Sequence, residues 1–200
     1  NAGAGVSNTA ALSIAGRNPS GTRLSETETW NGTNWTEVNN LNTARGSLAG
    51  SGSNTACIAI AGDAPPQVAN VELWNGTNWT EVNDLNTARR NGAGAGTQTA
   101  ALYFGGEPPP GFKDVELWNG TNWTEVNDLG TARYSGAGAG TNTAALMTGG
   151  ISAPTKALTE LYNANIKLLD TVNNSLTNEI KASKYGVELE KFINDIRKKE

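Results

Sequence analysis

The chain has 200 residues, 37% of them hydrophobic and 17% charged, with a net charge of −4. That charge gives no electrostatic basis for holding nucleic acid or an anionic membrane, and no apolar run nears the roughly 18 residues of a spanning helix. Histidine is absent and Cys57 is the single cysteine, which removes the commonest general base and transition-metal ligand and any intramolecular disulfide.

No leader peptide is recognisable. The chain opens at Asn1 inside a repeat, without Met, and so reads as a processed or trimmed piece of something longer. In chain order the repeat appears as ETWNGTNWTEVNN at 28–40, then as ELWNGTNWTEVND at 72–84 and again, letter for letter, at 116–128. Trp30, Trp74 and Trp118 stand 44 apart, as do Trp35, Trp79 and Trp123, and Arg45, Arg89 and Arg133. The units run over 1–45, 46–89, 90–133 and, incompletely, 134–162.

Each unit predicts four short strands. A small, Gly-rich strand such as 135–140 comes first. A polar turn then leads to an apolar strand, 144–147, which stops at a small pair: Ala15-Gly16, Ala61-Gly62, Gly105-Gly106 or Gly149-Gly150. A variable loop follows, then a third strand such as Val115–Trp118, a turn of Asn-Gly-Thr-Asn, and a fourth, Trp123–Val126. Asn and Gly accept the positive φ of tight hairpins. If Gly120-Thr121 is the loop, Trp118 and Trp123 face each other; if Asn119-Gly120, they lie diagonally. Both registers are open at this stage. In the last unit Tyr162 replaces the first tryptophan and no second follows, so three strands are expected there.

From Asn163 the composition changes to Asn, Lys, Glu, Ile and Leu. Ile166, Leu169, Leu176 and Ile180 predict an amphipathic helix from about Asn165 to Lys184. Gly186 is expected to break it. A second helix carries Leu189, Phe192, Ile193 and Ile196 on one face, with Arg197 and two lysines in its last turn. Residues 163–200 therefore read as a helical attachment or oligomerisation segment that joins other protein subunits.

The four-stranded unit, the Gly pair, the aromatic of the third strand, the Trp of the fourth and the Leu85-Asn-Thr-Ala-Arg89 stretch resemble the kelch repeat. The resemblance covers about residues 1–162 and implies an all-β, kelch-like β-propeller of three complete blades and a partial fourth. Its hairpin is two residues shorter than the family's. The structural signature is then Trp30, Trp35, Arg45, Trp74, Trp79, Arg89, Trp118, Trp123, Arg133 and Tyr162.

Glu28, Glu72, Glu116 and Glu160 precede the aromatic by two, so the arginines are expected either to pair with them between units or to form an anion-binding ring. Glu81, Glu125, Asp84 and Asp128 repeat, which marks them as scaffold and not as a catalytic pair. Cys57 occupies the position of Ala11, Ala101 and Ala145, which points to a small core residue. The asparagines of the hairpins fall in six Asn-x-Thr sequons, which turn chemistry already explains. The loops between the second and third strands break the repeat, and such loops carry binding diversity. Arg17, Asp63, Gln67, Glu107, Phe112 and Lys113 are the candidate contacts.

The expectation is a non-enzymatic structural or binding protein with no cofactor and no metal. It is similar to propellers of phage and bacterial surface proteins: a virion appendage such as a phage fibre or decoration, or an extracellular adhesin, whose loops meet a host glycan or protein. The alternative is a cytoplasmic adaptor; a polysaccharide-acting enzyme built from the loops ranks last.

Overall fold

The computed structural model describes residues 1–107, 112–152, 166–177 and 184–198. The chain divides into two units, Asn1–Ala153 and Pro154–Glu200. The first unit is β. Strands β1 (Ala2–Ser7), β2 (Ala10–Arg17), β3 (Arg23–Trp30) and β4 (Trp35–Val38) form an antiparallel sheet in sequence order. A second sheet holds β5 (Ala49–Gly52), β6 (Cys57–Asp63), β7 (Gln67–Trp74) and β8 (Trp79–Val82). A third holds β9 (Ala93–Thr97), β10 (Ala100–Phe104), β11 (Val115–Trp118) and β12 (Trp123–Val126). Beyond it β14 (Ala137–Gly140) pairs with β15 (Ala145–Thr148), and β13 (Arg133–Tyr134) with β16 (Ile151–Ser152). The expected third strand of the last unit, with Tyr162 and Glu160, lies outside the described residues.

Each hairpin adopts the first of the two registers. Trp30 lies opposite Trp35, Trp74 opposite Trp79, and Trp118 opposite Trp123. The ring centroids are 5.2–5.5 Å apart. The side chains of Asn31, Asn75 and Asn119 build the turn. Each Oδ1 accepts the backbone N–H groups two and three residues on, at 2.8–2.9 Å. Gly32, Gly76 and Gly120 then take φ of 93–95°, which a residue without Cβ adopts freely.

One expectation needs correction. The apolar strand does not stop at the small pair in the first two units. There Ala15-Gly16 and Ala61-Gly62 form β-bulges, both residues at positive φ, and β2 and β6 continue to Arg17 and Asp63. The glycine of the small pair anchors the linker whether or not it lies in a bulge. The N–H groups of Gly16, Gly62 and Gly106 donate to the carbonyls of Arg45, Arg89 and Arg133 at 2.9–3.1 Å. A Cβ on Gly62 would stand 2.8 Å from the Gly46 carbonyl.

The core lies between successive sheets. One cluster joins Leu12 and Ile14 to Cys57, Ala59, Trp74 and Trp79; the next joins Ile58, Ile60 and Val71 to Ala101, Tyr103, Trp118 and Trp123. The first tryptophan of each pair is tied to its own sheet: Trp30, Trp74 and Trp118 Nε1 donate to the carbonyls of Asn8, Asn54 and Gln98 at 2.8–3.1 Å. The second reaches across. Trp79 Nε1 donates to Thr27 Oγ1 at 3.2 Å. Val71 holds the Thr27 position in the next sheet, and the buried Trp123 Nε1 has no hydrogen-bond partner among the described residues. A buried donor left unsatisfied costs about 1–3 kcal/mol. Val71→Thr is therefore expected to raise stability by about 1 kcal/mol and Thr27→Val to lower it by about 1–2 kcal/mol. Urea titrations followed by tryptophan fluorescence check both; two losses would show that Trp123 has no use for a hydroxyl.

The first strands β1, β5, β9 and β14 border one cavity of about 530 Å³, lined mostly by glycine and alanine, with Ser7, Leu12 and Ser51. Small residues are needed there because neighbouring backbones touch. A Cβ on Gly50 would lie 2.9 Å from the Gly3 carbonyl, and Ser51 Oγ donates to the Gly96 carbonyl at 2.8 Å.

In the second unit, residues 166–177 form helix α1 and Lys184–Arg197 form α2. The expectation that Gly186 breaks a helix is corrected: it lies in the first turn of α2, where few intrahelical bonds are yet at stake. Ile166, Leu169, Leu176, Leu189, Phe192 and Ile196 are all exposed. Ile180 lies outside the described residues. No described helix is long and apolar enough to cross a membrane.

Candidate binding face

The arginines that repeat are structural. Arg45 and Arg89 are fully buried and meet the carboxylates of Glu72 and Glu116 in the following sheet, at 2.7 and 2.9 Å. Each carboxylate is completed by the linker that delivers the arginine. Asn42 donates its N–H and its amide to Glu72 at 2.8 Å, and Asn86 does the same for Glu116 at 2.8 and 2.9 Å. Burial lowers the Arg45 pKa from its ordinary value, and the Glu72 charge acts against that shift. Arg89 also lies between the rings of Tyr103 and Phe112, 4.9 and 5.8 Å from their centroids. The alternative of an anion-binding arginine ring needed unpaired guanidiniums, and at Arg45 and Arg89 it is overturned. Arg133 donates to the Gly149 carbonyl at 3.2 Å.

Burial likewise defines Cys57. It is enclosed in the core, and burial pushes its thiol up to about 12, so at neutral pH the nucleophilic thiolate is absent.

The residues that break the repeat behave differently. Asp63 sits at the end of β6, its side chain 2% exposed, and three guanidiniums converge on it. Arg23 Nη2 donates to both carboxylate oxygens at 3.2 and 3.1 Å, Arg90 approaches at 3.4 Å, and Arg17 completes the group. Arg90 Nε donates to Glu107 at 3.2 Å, and Asn91 donates to the same oxygen. Three positive groups thus face two carboxylates. The arginine side chains remain 29–38% exposed, with N–H groups in excess of those the carboxylates occupy. Such a cluster can hold an anionic or hydroxyl-rich surface group without first giving up its own pairing.

Of the candidate contacts, Arg17, Asp63 and Glu107 are drawn together here. Gln67 pairs with Asp63 across the β6–β7 hairpin and is half-buried. Phe112 and Lys113 are placed elsewhere: their carbonyls accept the N–H groups of Arg133 and Leu129, which anchors the linker, and the Phe112 ring lies over Arg89. The Lys113 side chain is exposed. Arg23, Arg90 and Asn91 escaped the sequence reading. The signal was present for Arg90, which replaces Gly46 and precedes Tyr134 at the same repeat position. Separately, Asp114 replaces Asn70, whose amide donates to Glu81 at 2.8 Å, so the carboxylates of Asp114, Glu125 and Asp128 stand within 4.8 Å of one another.

Fold and cluster together define a protein of repeated antiparallel sheets whose repeating residues are spent on packing and whose repeat-breaking residues form a half-buried charged cluster. No family model matches the chain, and no curated protein matches it. Among solved structures it is similar to YjhT, with a TM-score of 0.58 and 15% identity over 65% of this chain. The match spans 46% of that chain. At such identity the likeness concerns the fold alone.

Proposed function

We propose that residues 1–162 belong to a kelch-like β-propeller and that the protein is a non-enzymatic binding module, a virion appendage or extracellular adhesin. The ring reading is supported by the four first strands side by side along one cavity and by the repeated arginine–glutamate bond between consecutive sheets. The functional reading rests on one observation. The repeat-breaking residues Arg17, Arg23, Asp63, Arg90 and Glu107 gather in a single cluster, with its arginines partly exposed around the buried Asp63, while the repeating ones are consumed by the scaffold. Under this reading the face meets a host glycan or protein, and guanidinium forks supply the recognition of carboxylate, sulfate or hydroxyl groups. The helices of residues 163–200 attach the module to other subunits through their exposed apolar residues.

The test is a glycan-array and cell-binding screen with the intact chain, followed by the Arg17→Ala/Arg90→Ala double variant. We expect binding that falls at least about tenfold in the variant, measured well below its unfolding temperature, which the loss of two guanidiniums beside the buried Asp63 lowers. A screen with no ligand would overturn the adhesive role, and undiminished binding by the variant would remove this face from it.

A further inference from the structure

Each interior sheet receives the same visitor on its tryptophan face. A linker from the preceding sheet lays a leucine against the two tryptophans and brings an asparagine and an arginine to the buried glutamate. Leu41, Asn42 and Arg45 do this for Trp74, Trp79 and Glu72. Leu85, Asn86 and Arg89 repeat it for Trp118, Trp123 and Glu116. The first sheet presents the same face uncovered. Glu28 is exposed, where Glu72 and Glu116 are 1% and 2% exposed. Trp35 is 48% exposed, where Trp79 and Trp123 are 6%.

We propose that this face of the first sheet, carrying Glu28, Trp30 and Trp35, is a docking surface for a further unit of the same repeat. The element it recognises is a Leu-Asn-x-Ala-Arg segment. Its arginine pairs with Glu28, its asparagine caps the same carboxylate, and its leucine covers the tryptophans. Charge complementarity and continuity with two existing interfaces select this occupant. An unrelated apolar surface would leave the Glu28 carboxylate desolvated and unpaired. The proposal stands on the sheet-to-sheet geometry and is independent of what the loop face binds.

Two formats test it with the full chain. A peptide with the sequence of Val82–Arg90, which lacks tryptophan, is titrated into the protein. In the second format the sequence of Val82–Asn91 is fused directly ahead of Asn1. Its first arginine then precedes Ala2 by the same four residues by which Arg45 precedes Ala49. We expect the fusion to shift tryptophan emission to the blue and to raise the unfolding temperature, with the tether supplying a high effective concentration. Glu28→Gln, at an exposed position that folding does not depend on, should cancel most of the gain and weaken the free peptide at least about tenfold, as should the peptide with its first arginine changed to methionine. An unchanged spectrum and melting temperature in the fusion would overturn the proposal. So would a gain that Glu28→Gln leaves intact, or peptide binding displaced by a simple oligosaccharide, which would make Trp35 a sugar platform.

Discussion

Replacing Arg89 by alanine is expected to destabilise the protein by about 3–5 kcal/mol, the range for removing one partner of a buried ion pair. The loss has three parts. Glu116 keeps its two Asn86 donors but loses its counter-charge in a site 2% exposed. The Asp114 carbonyl loses the Nη1 donor at 2.9 Å. The space between the Tyr103 and Phe112 rings is left unfilled. Arg89→Lys should recover less than half of the loss, because one ammonium cannot reach both the Glu116 carboxylate and the Asp114 carbonyl in the flat slot between two rings. Denaturant titration of the three proteins measures this directly. A deficit below about 1 kcal/mol for Arg89→Ala would mean that the pair breaks even against its desolvation.

The second large effect separates two residues with identical surroundings in sequence. Trp79→Ala should cost about 3–5 kcal/mol, as expected for a core indole, whereas Trp35→Ala should cost about 1 kcal/mol or less. Both variants lose the same cross-strand pair, since Trp30 and Trp74 stand 5.5 and 5.2 Å from their partners. That pair is worth roughly 0.2–1 kcal/mol. The remainder is the burial of Trp79 against Leu41 and Val38 and its bond to Thr27, which Trp35 lacks among the described residues. Equal costs for the two variants would show that the hairpin, and not the neighbouring sheet, holds the tryptophans.

Much of this was legible in the residues. The strand pattern, the tight turn and the arginine–glutamate pairing all follow from residues that recur every 44 positions, because a repeated packing problem receives a repeated solution. What was not legible depends on backbone geometry that residue types leave open, or on contacts between units. Asn-Gly-Thr-Asn permits two registers, and only the Asx turn of Asn119 with Gly120 at φ 95° selects one. The extension of β2 and β6 past the small pairs depends on a bulge, which local propensity does not announce. Gly186 looked like a helix breaker, yet in a first turn its missing side chain interrupts few bonds. The charged face was half found: Arg17, Asp63 and Glu107 were visible as loop residues, while Arg90 comes from a linker and joins them through the contact of successive units.

The arginine–glutamate bonds also have a direction. Arg45 reaches 27 residues forward to Glu72, and Arg89 the same distance forward to Glu116. During synthesis, then, a finished sheet carries an arginine whose counter-charge has not yet been made. The segment that will receive Arg45 shares its thirteen-residue hairpin with the one that will receive Arg89. A growing chain can therefore mispair by one whole repeat and satisfy every local rule, leaving a sheet skipped and its apolar face bare. Exposed faces of this kind make repeat arrays prone to misassembly. The differences between copies, Thr27 for Val71 or Asp63 for Glu107, are then the marks by which adjacent sheets tell their true neighbour from its twin.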